Sequence, residues 1–419
     1  MPNPDARPSV DTRYSRIAAL ADATLHAARA LGALRLTPGE ILRRAEDLTG
    51  LTDRDLAGIA APLQHLCDDF AAHPPTDLGA AIVHETLVQG MVSRRRLQVA
   101  FDTSPMRPSR PPIVLVGWYR TGTTFLQQLL AALPGYDFVP MYRLAEPVPS
   151  VTGPPEREPV MRTLADLWSR TRAELGSVGM NVIAPELSAL HPVQATGAEE
   201  CWFLHLSHLA ADGLRIAWRV PRYARWLDAH DRHPVYRTWA RAAALLERDL
   251  GHGLVLKDPA HMGNLDALVA AMPEARLVWT HRPPARALAS YGSLVATQRR
   301  IVYGAWDRYR VGDTVLDAAE RNLRDGLDAR SRLPDDAIFD VDQRELRADP
   351  VGVVERLADH HGLPFDARAV EDRARTLNAQ PRRPHRHHLS HWGLDEAKIA
   401  RRLAFYLDDP RTPRWTGST

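Results

Sequence analysis

A strand-length apolar run, Pro112-Ile113-Val114-Leu115-Val116, ends in Gly117-Trp118-Tyr119-Arg120-Thr121-Gly122-Thr123-Thr124 and passes at once into an amphipathic stretch, Thr124 to Leu133. The run is apolar at every position rather than at alternate ones. A strand of that kind is covered on both faces, which is how a parallel strand between two helical layers reads. The same grammar returns at Leu254-Val255-Leu256-Lys257, at Ala275 to Thr280 ahead of a helical Ala285 to Arg300, and at Ala337 to Val341 ahead of the helix that follows Asp349-Pro350. Strands alternating with helices predict an α/β fold with a doubly wound parallel sheet, whose ligands sit at the carboxyl ends of the strands.

Two stretches depart from this alternation. Residues 1–110 read as a helical N-terminal region, because Ala, Leu and Arg recur at three- and four-residue spacing. Thr37-Pro38-Gly39-Glu40 predicts a capped start for a helix over Ile41 to Leu48, and Thr52-Asp53-Arg54-Asp55 a second start. Residues 111–419 form the α/β unit, interrupted at about 150–250 by a helical insert that carries Trp168, Trp202, Trp218, Trp226 and Trp239. These rings either pack structurally or line a hydrophobic pocket over the sheet.

Charge excludes some functions. With 53 cations against 51 anions the chain has a formal net charge of +2, so no nucleic-acid binder resting on excess positive charge is expected. Only Lys257 and Lys398 are lysines; the remaining 51 cations are arginines. The two cysteines, Cys67 and Cys201, follow no metal or redox spacing and read as core thiols in a reducing compartment. The first residues carry Asp5 and Asp11 where a signal peptide would be basic, and no apolar run approaches the roughly 18 residues of a membrane span. A cytoplasmic protein is the expectation.

The chemistry lies in the loop after the first run. Gly117 and Gly122 stand at the G-x4-G spacing of a phosphate-binding loop, in which backbone N–H groups and a helix N-terminus hold an anion. The lysine that follows the second glycine in nucleotide triphosphatases is here Thr123, and the cation sits inside the loop at Arg120. With hydroxyls at Thr121, Thr123 and Thr124 and no Lys-Ser pair for Mg²⁺, the loop suits an oxyanion held without a metal.

Arg120-Thr121-Gly122-Thr123-Thr124 resembles the 5′-phosphosulfate loop of sulfotransferases that use 3′-phosphoadenosine 5′-phosphosulfate, in the bacterial branch whose loop lysine is arginine. Arg282, directly after a strand, and Ser290, eight residues on, resemble the pair that grips the donor's 3′-phosphate. Further stretches are similar to that branch: His191 to Cys201, Val220 to Leu227, Leu256 to His261, Leu346 to Pro350 and Trp392 to Asp395. The resemblance implies transfer of a sulfuryl group to a hydroxyl or amine of a small molecule, with the phosphosulfate nucleotide as co-substrate and no metal. It implies that Arg120 and Lys257 are the catalytic cations, and that Arg386, in a basic C-terminal segment, closes over the 3′-phosphate.

The general base is open among Glu146, His261, His191 and the pair Glu199 and Glu200, since an acceptor needs a carboxylate or imidazole within reach. The family's glutamate position falls most directly on Arg143, with Glu146 three residues away. Tyr119, Pro283 and Gln343 are further departures from the pattern. A catalytically silent nucleotide-binding relative, supported by Arg143, and a small-molecule kinase, opposed by Thr123, are the alternatives. The run His385-Arg386-His387-His388-Leu389-Ser390-His391 is histidine-rich but lacks an acidic or cysteine ligand, so no metal site is expected there.

Overall fold

The computed structural model describes Leu25 and residues 34–149, 158–304, 308–380 and 388–415. Five strands form one sheet: β1 (Ile113–Leu115), β2 (Tyr136–Phe138), β3 (Gly253–Lys257), β4 (Arg276–His281) and β5 (Ile338–Asp342). Every pairing is parallel and the order is β2-β3-β1-β4-β5. This is the expected α/β class. The chain steps from β3 across β1 to β4, so the strand order reverses at β1, and a crevice opens beyond its carboxyl end.

Alternation along β1 explains the continuous apolar run. Ile113 and Leu115 point to one face, with Val255, Val278 and Val341, under α4 (Thr123–Leu130), α10 (Pro350–His361) and α11 (Ala367–Ala379). Val114 and Val116 point to the other, with Leu254, Leu256 and Trp279, under α6 (His233–Leu250), α7 (Leu265–Ala271), α8 (Pro284–Tyr303) and α9 (Arg308–Arg330). Burial on both sides leaves no position for a polar residue.

The N-terminal helices α1 (Pro38–Thr49), α2 (Ala57–Ala72) and α3 (Asp77–Ala100) pack their own cluster, in which Ile41, Leu63 and Leu87 meet Leu209, Trp218 and Tyr223 of the insert. Thr37 caps α1 as expected, accepting from the Glu40 N–H at 3.4 Å. The second start falls later than Thr52 to Asp55: α2 begins at Ala57, and Asp55 accepts from the Gly58 N–H at 3.1 Å. Helix α4 also stops at Leu130 rather than Leu133. Strand β2 has no counterpart in the sequence reading, because three half-buried residues at the sheet edge leave no periodic signal. Within the insert, α5 (Glu158–Ile183) is a 26-residue helix. Cys67 and Cys201 are buried and unpaired with one another, and burial pushes both thiols up to about 12, so they are inert core groups. Among the described residues no helix is long and apolar enough to cross a membrane.

Candidate active site

Three strand ends meet at the crevice: the loop after β1, Lys257 at the end of β3, and Arg282 just past β4. Their convergence follows from the strand order, since β3 and β4 flank β1.

The loop is tightly set. Gly122 caps α4 in the left-handed region, at φ 95°, where a side chain would be strained, and Arg120 also has positive φ at 66°. Arg282 holds Arg120 in that conformation by donating from NH1 to the Arg120 carbonyl at 2.7 Å, and Arg120 Nε donates to Ser290 Oγ at 3.0 Å. Thr121 Oγ1 donates to the Trp118 carbonyl at 2.6 Å and lies 2.6 Å from Thr280 Oγ1. Gly117 is required by close approach: a Cβ there would stand 1.7 Å from Thr280 Oγ1. The N–H groups of the first turn of α4 have no intrahelical acceptors, an arrangement that suits an anion.

Three more arginines, Arg282, Arg286 and Arg347, gather near Arg120 of the loop. Burial, then the neighbouring Arg347, Arg120 and Arg286, push the Arg282 guanidinium down to about 10. Its Nε is buried with no hydrogen-bond partner. Arg282, perturbed only by burial and by other cations and carrying an orphaned donor, fits a bound phosphate or sulfate. Arg286 and Arg347 were not singled out by sequence reasoning; each is one of 51 arginines and lies on a separate helix. Gln343, at the start of the helix Gln343–Ala348, faces Gly122, with its Cγ 3.1 Å from where a Cβ would stand.

Lys257 is 1% exposed, and its Nζ donates to Thr124 Oγ1 at 3.2 Å and to Glu200 Oε1 at 3.0 Å. It therefore joins the loop to the insert. Glu199 pairs with His191 Nε2 at 3.0 Å, and this carboxylate raises the imidazole above its ordinary value against the opposing effect of burial. Gln127 of α4 donates to the Glu199 carbonyl at 3.3 Å, which fixes the segment against the sheet.

Beside these groups lies an apolar cavity of about 510 Å³, walled by Tyr119, Tyr291, Trp202, Trp218 and Leu294, with Glu199, Glu200 and His191 at its polar end. Tyr119 and Tyr291 stack at 4.2 Å between ring centres and form a flat shelf next to the loop. Of the five insert tryptophans, Trp202 and Trp218 line the cavity. Trp239 packs on His261 in the core, Trp226 stacks on His230, and Trp168 stands 67% exposed.

The candidate bases occupy different surroundings. Glu146 lines the cavity, but although burial alone would raise it, Arg172, Ser169 and Arg96 hold its carboxyl below the usual range. His261 lies in the core rather than on the cavity: it is fully buried, its Nδ1 is 2.8 Å from the Tyr236 hydroxyl, and burial beside His205 keeps the imidazole well below its ordinary value. Arg143 is a clamp, donating to Asp166 of α5 at 3.1 Å and to Asp249 of α6 at 3.0 Å. Arg386 lies outside the described residues, as do His385 and His387. The rings of His388 and His391 stand 5.2 Å apart, and no group of three metal-ligating side chains occurs among the described residues.

Residues 111–367, more than half of the chain, match the model of a family described as the sulfotransferase family. The crystal structure of the sulfotransferase STF1 from Mycobacterium tuberculosis is similar, with 28% identity and a TM-score of 0.73 over 88% of this chain and 98% of that one. That of the sulfotransferase STF9 from Mycobacterium avium shares the fold at 23% identity, with a TM-score of 0.77 over 90% of this chain and 97% of that one. No curated protein matches the sequence.

Proposed function

The chain belongs to the sulfotransferase family, and from this premise we propose that it transfers a sulfuryl group from 3′-phosphoadenosine 5′-phosphosulfate to a hydroxyl or amine of a bulky apolar or aromatic small molecule. The single observation that carries the donor assignment is the cluster of Arg282, Arg120, Arg286 and Arg347 around an orphaned, buried guanidinium N–H, directly beside an anion-holding loop. A nucleotide with phosphate at both ends needs two anion sites. The loop, with Thr121, Gly122, Thr123 and Thr124, receives the 5′ end, and Arg282 with its neighbours receives the 3′-phosphate. Ser290 serves this grip indirectly, by holding Arg120.

In the transfer, the acceptor oxygen forms a bond to sulfur as the bond from sulfur to the 5′-phosphate oxygen breaks. The electron pair of that bond leaves with the nucleotide, and the acceptor proton passes to a base. Arg120 and Lys257 stabilise the charge that grows on the bridging oxygen. Glu200 is the base best supported by geometry: it lines the cavity and its carboxylate is 3.0 Å from the lysine that also touches the loop. Glu146 is paired with Arg96 and Arg172 rather than with the lysine that touches the loop, and His261 stands away from the cavity. His191 is the second candidate, because it lines the same cavity and is oriented by Glu199. Arg143, the main support for a catalytically silent relative, has a structural task between Asp166 and Asp249.

Titration of the full chain with 3′-phosphoadenosine 5′-phosphate against ATP tests the donor. Preference for the 3′-phosphate by about 30-fold or more is expected from one or two charge-assisted contacts. Equal or tighter ATP binding sinks the reading. In a labelled-sulfate transfer screen, Glu200→Gln is expected to lower turnover at least about 100-fold with nucleotide binding within a few-fold. Full turnover in Glu200→Gln moves the base to His191.

A further inference from the structure

Helix α5 is amphipathic in the wrong sense for a surface helix. Its inner face carries its polar contacts and the cavity lining: Asp166 meets Arg143 and Tyr142, Arg172 meets Glu146, and Ala173, Gly176 and Met180 line the cavity. Its outer face carries Val160, Leu164, Leu167, Trp168, Leu175, Val178 and Val182, each between 49% and 67% exposed. At about 100° per residue these side chains span an arc roughly 100° wide with no charged residue inside it. Together they leave roughly 700 Å² of apolar side-chain surface open, beyond what single scattered residues explain and close to the 800 Å² or so that each partner contributes to a stable interface.

The spacing of the stripe identifies its occupant. Val160, Leu164, Leu167, Thr171, Leu175, Val178 and Val182 follow one another at intervals of 4, 3, 4, 4, 3 and 4. That series reads the same from either end, with Thr171 at its centre. A second copy of the helix, turned antiparallel about a two-fold axis through Thr171, sets Val160 against Val182, Leu164 against Val178 and Leu167 against Leu175. This is the self-complementarity a two-fold interface requires. A lipid surface fits less well: the charges of α5 are Glu158, Arg162, Asp166, Arg170, Arg172 and Glu174, which balance, whereas helices lying on membranes carry an excess of Lys and Arg on their polar face.

We propose that the chain forms a two-fold dimer in which the α5 helices of two copies pack antiparallel through this stripe, so that the wall of each cavity is backed by the partner. The claim stands apart from the sulfotransferase reading, since it uses no donor or acceptor.

Sedimentation equilibrium of the full chain is expected to show a dimer at micromolar concentration. Leu167→Glu is expected to give a folded monomer by circular dichroism, and Leu167→Glu with Leu175→Arg to restore the dimer, because the antiparallel arrangement places each new carboxylate beside a new guanidinium. A parallel pair would set like charges together and stay monomeric, which overturns the arrangement. Thr171→Cys is expected to cross-link two copies under mild oxidation, the native cysteines being buried. A monomeric wild type overturns the proposal, including the case in which it sediments with phosphatidylcholine and phosphatidylglycerol vesicles through Leu167. So does a dimer that survives Leu167→Glu unchanged.

Discussion

Lys257 is one of two lysines beside 51 arginines, and the structure gives that choice a physical setting. Its stem is buried and its single nitrogen reaches both Thr124 and Glu200. A guanidinium carries the same charge but is planar, larger and less able to act as a point donor in a closed space. Lys257→Arg is therefore expected to lower the rate of sulfuryl transfer at least about 100-fold, while the affinity for 3′-phosphoadenosine 5′-phosphate, read by calorimetry, stays within about five-fold. Near-normal turnover would reduce Lys257 to a generic charge. The residues of the proposed anion loop, Arg120, Thr121, Gly122, Thr123 and Thr124, stood out in the sequence because such a loop is built from consecutive backbone N–H groups, so its signature is local. Thr280, Arg286 and Arg347 did not, since each joins the site from a different element and none carries a local signature, and Glu200 stood in the sequence only as one of several candidate bases.

Among the elements, α5 forms one wall of the cavity proposed for the acceptor. Its inner face is tied down chiefly by charge, with Arg143 between Asp166 and Asp249 as the buried centre. Removing the guanidinium leaves two partly covered carboxylates facing one another, at a cost of about 2 kcal/mol after allowing for the solvent that reaches Asp166. Arg143→Ala is expected to raise KM for the acceptor several-fold and lower the thermal midpoint, with nucleotide affinity unchanged. An unchanged acceptor KM would separate α5 from substrate binding. The sequence reading placed α8 to within three residues of its ends and marked the start of α10, because each has a proline at the first helical position. The roles of the insert tryptophans were undetermined at that level: a ring that packs and a ring that lines a cavity have the same composition and differ only in what stands opposite.

For the whole molecule, buried imidazoles set the acid limit. Burial pushes His205 down to about 3, and His208 and His361 down to about 4. Each is neutral in the folded state and takes up a proton near pH 6.5 on unfolding, so the unfolded state binds more protons and stability falls as pH drops below about 6.5. His191, raised by Glu199, acts in the opposite sense, its contribution being present at low pH and lost as pH rises through its elevated pKa. The buried Asp258, whose carboxyl burial raises, acts in the same sense as His191, and the two are outnumbered by His205, His208, His361 and the likewise lowered His261. The urea midpoint is expected to fall between pH 7 and pH 5, at up to about 1.4 kcal/mol per pH unit for each buried histidine, and His205→Phe to flatten the slope. A midpoint constant over that window would contradict the assignment. The sequence by itself determined the parallel α/β class, because it is written in runs of neighbouring residues whose periodicity is local. Only the tertiary structure decided which carboxylate stands beside Lys257, which arginines gather around Arg282, and that α5 turns Asp166 and Arg172 inward and its apolar stripe to the outside. Those facts depend on distances between residues far apart in the chain, and distances across a fold are set by packing rather than by spacing.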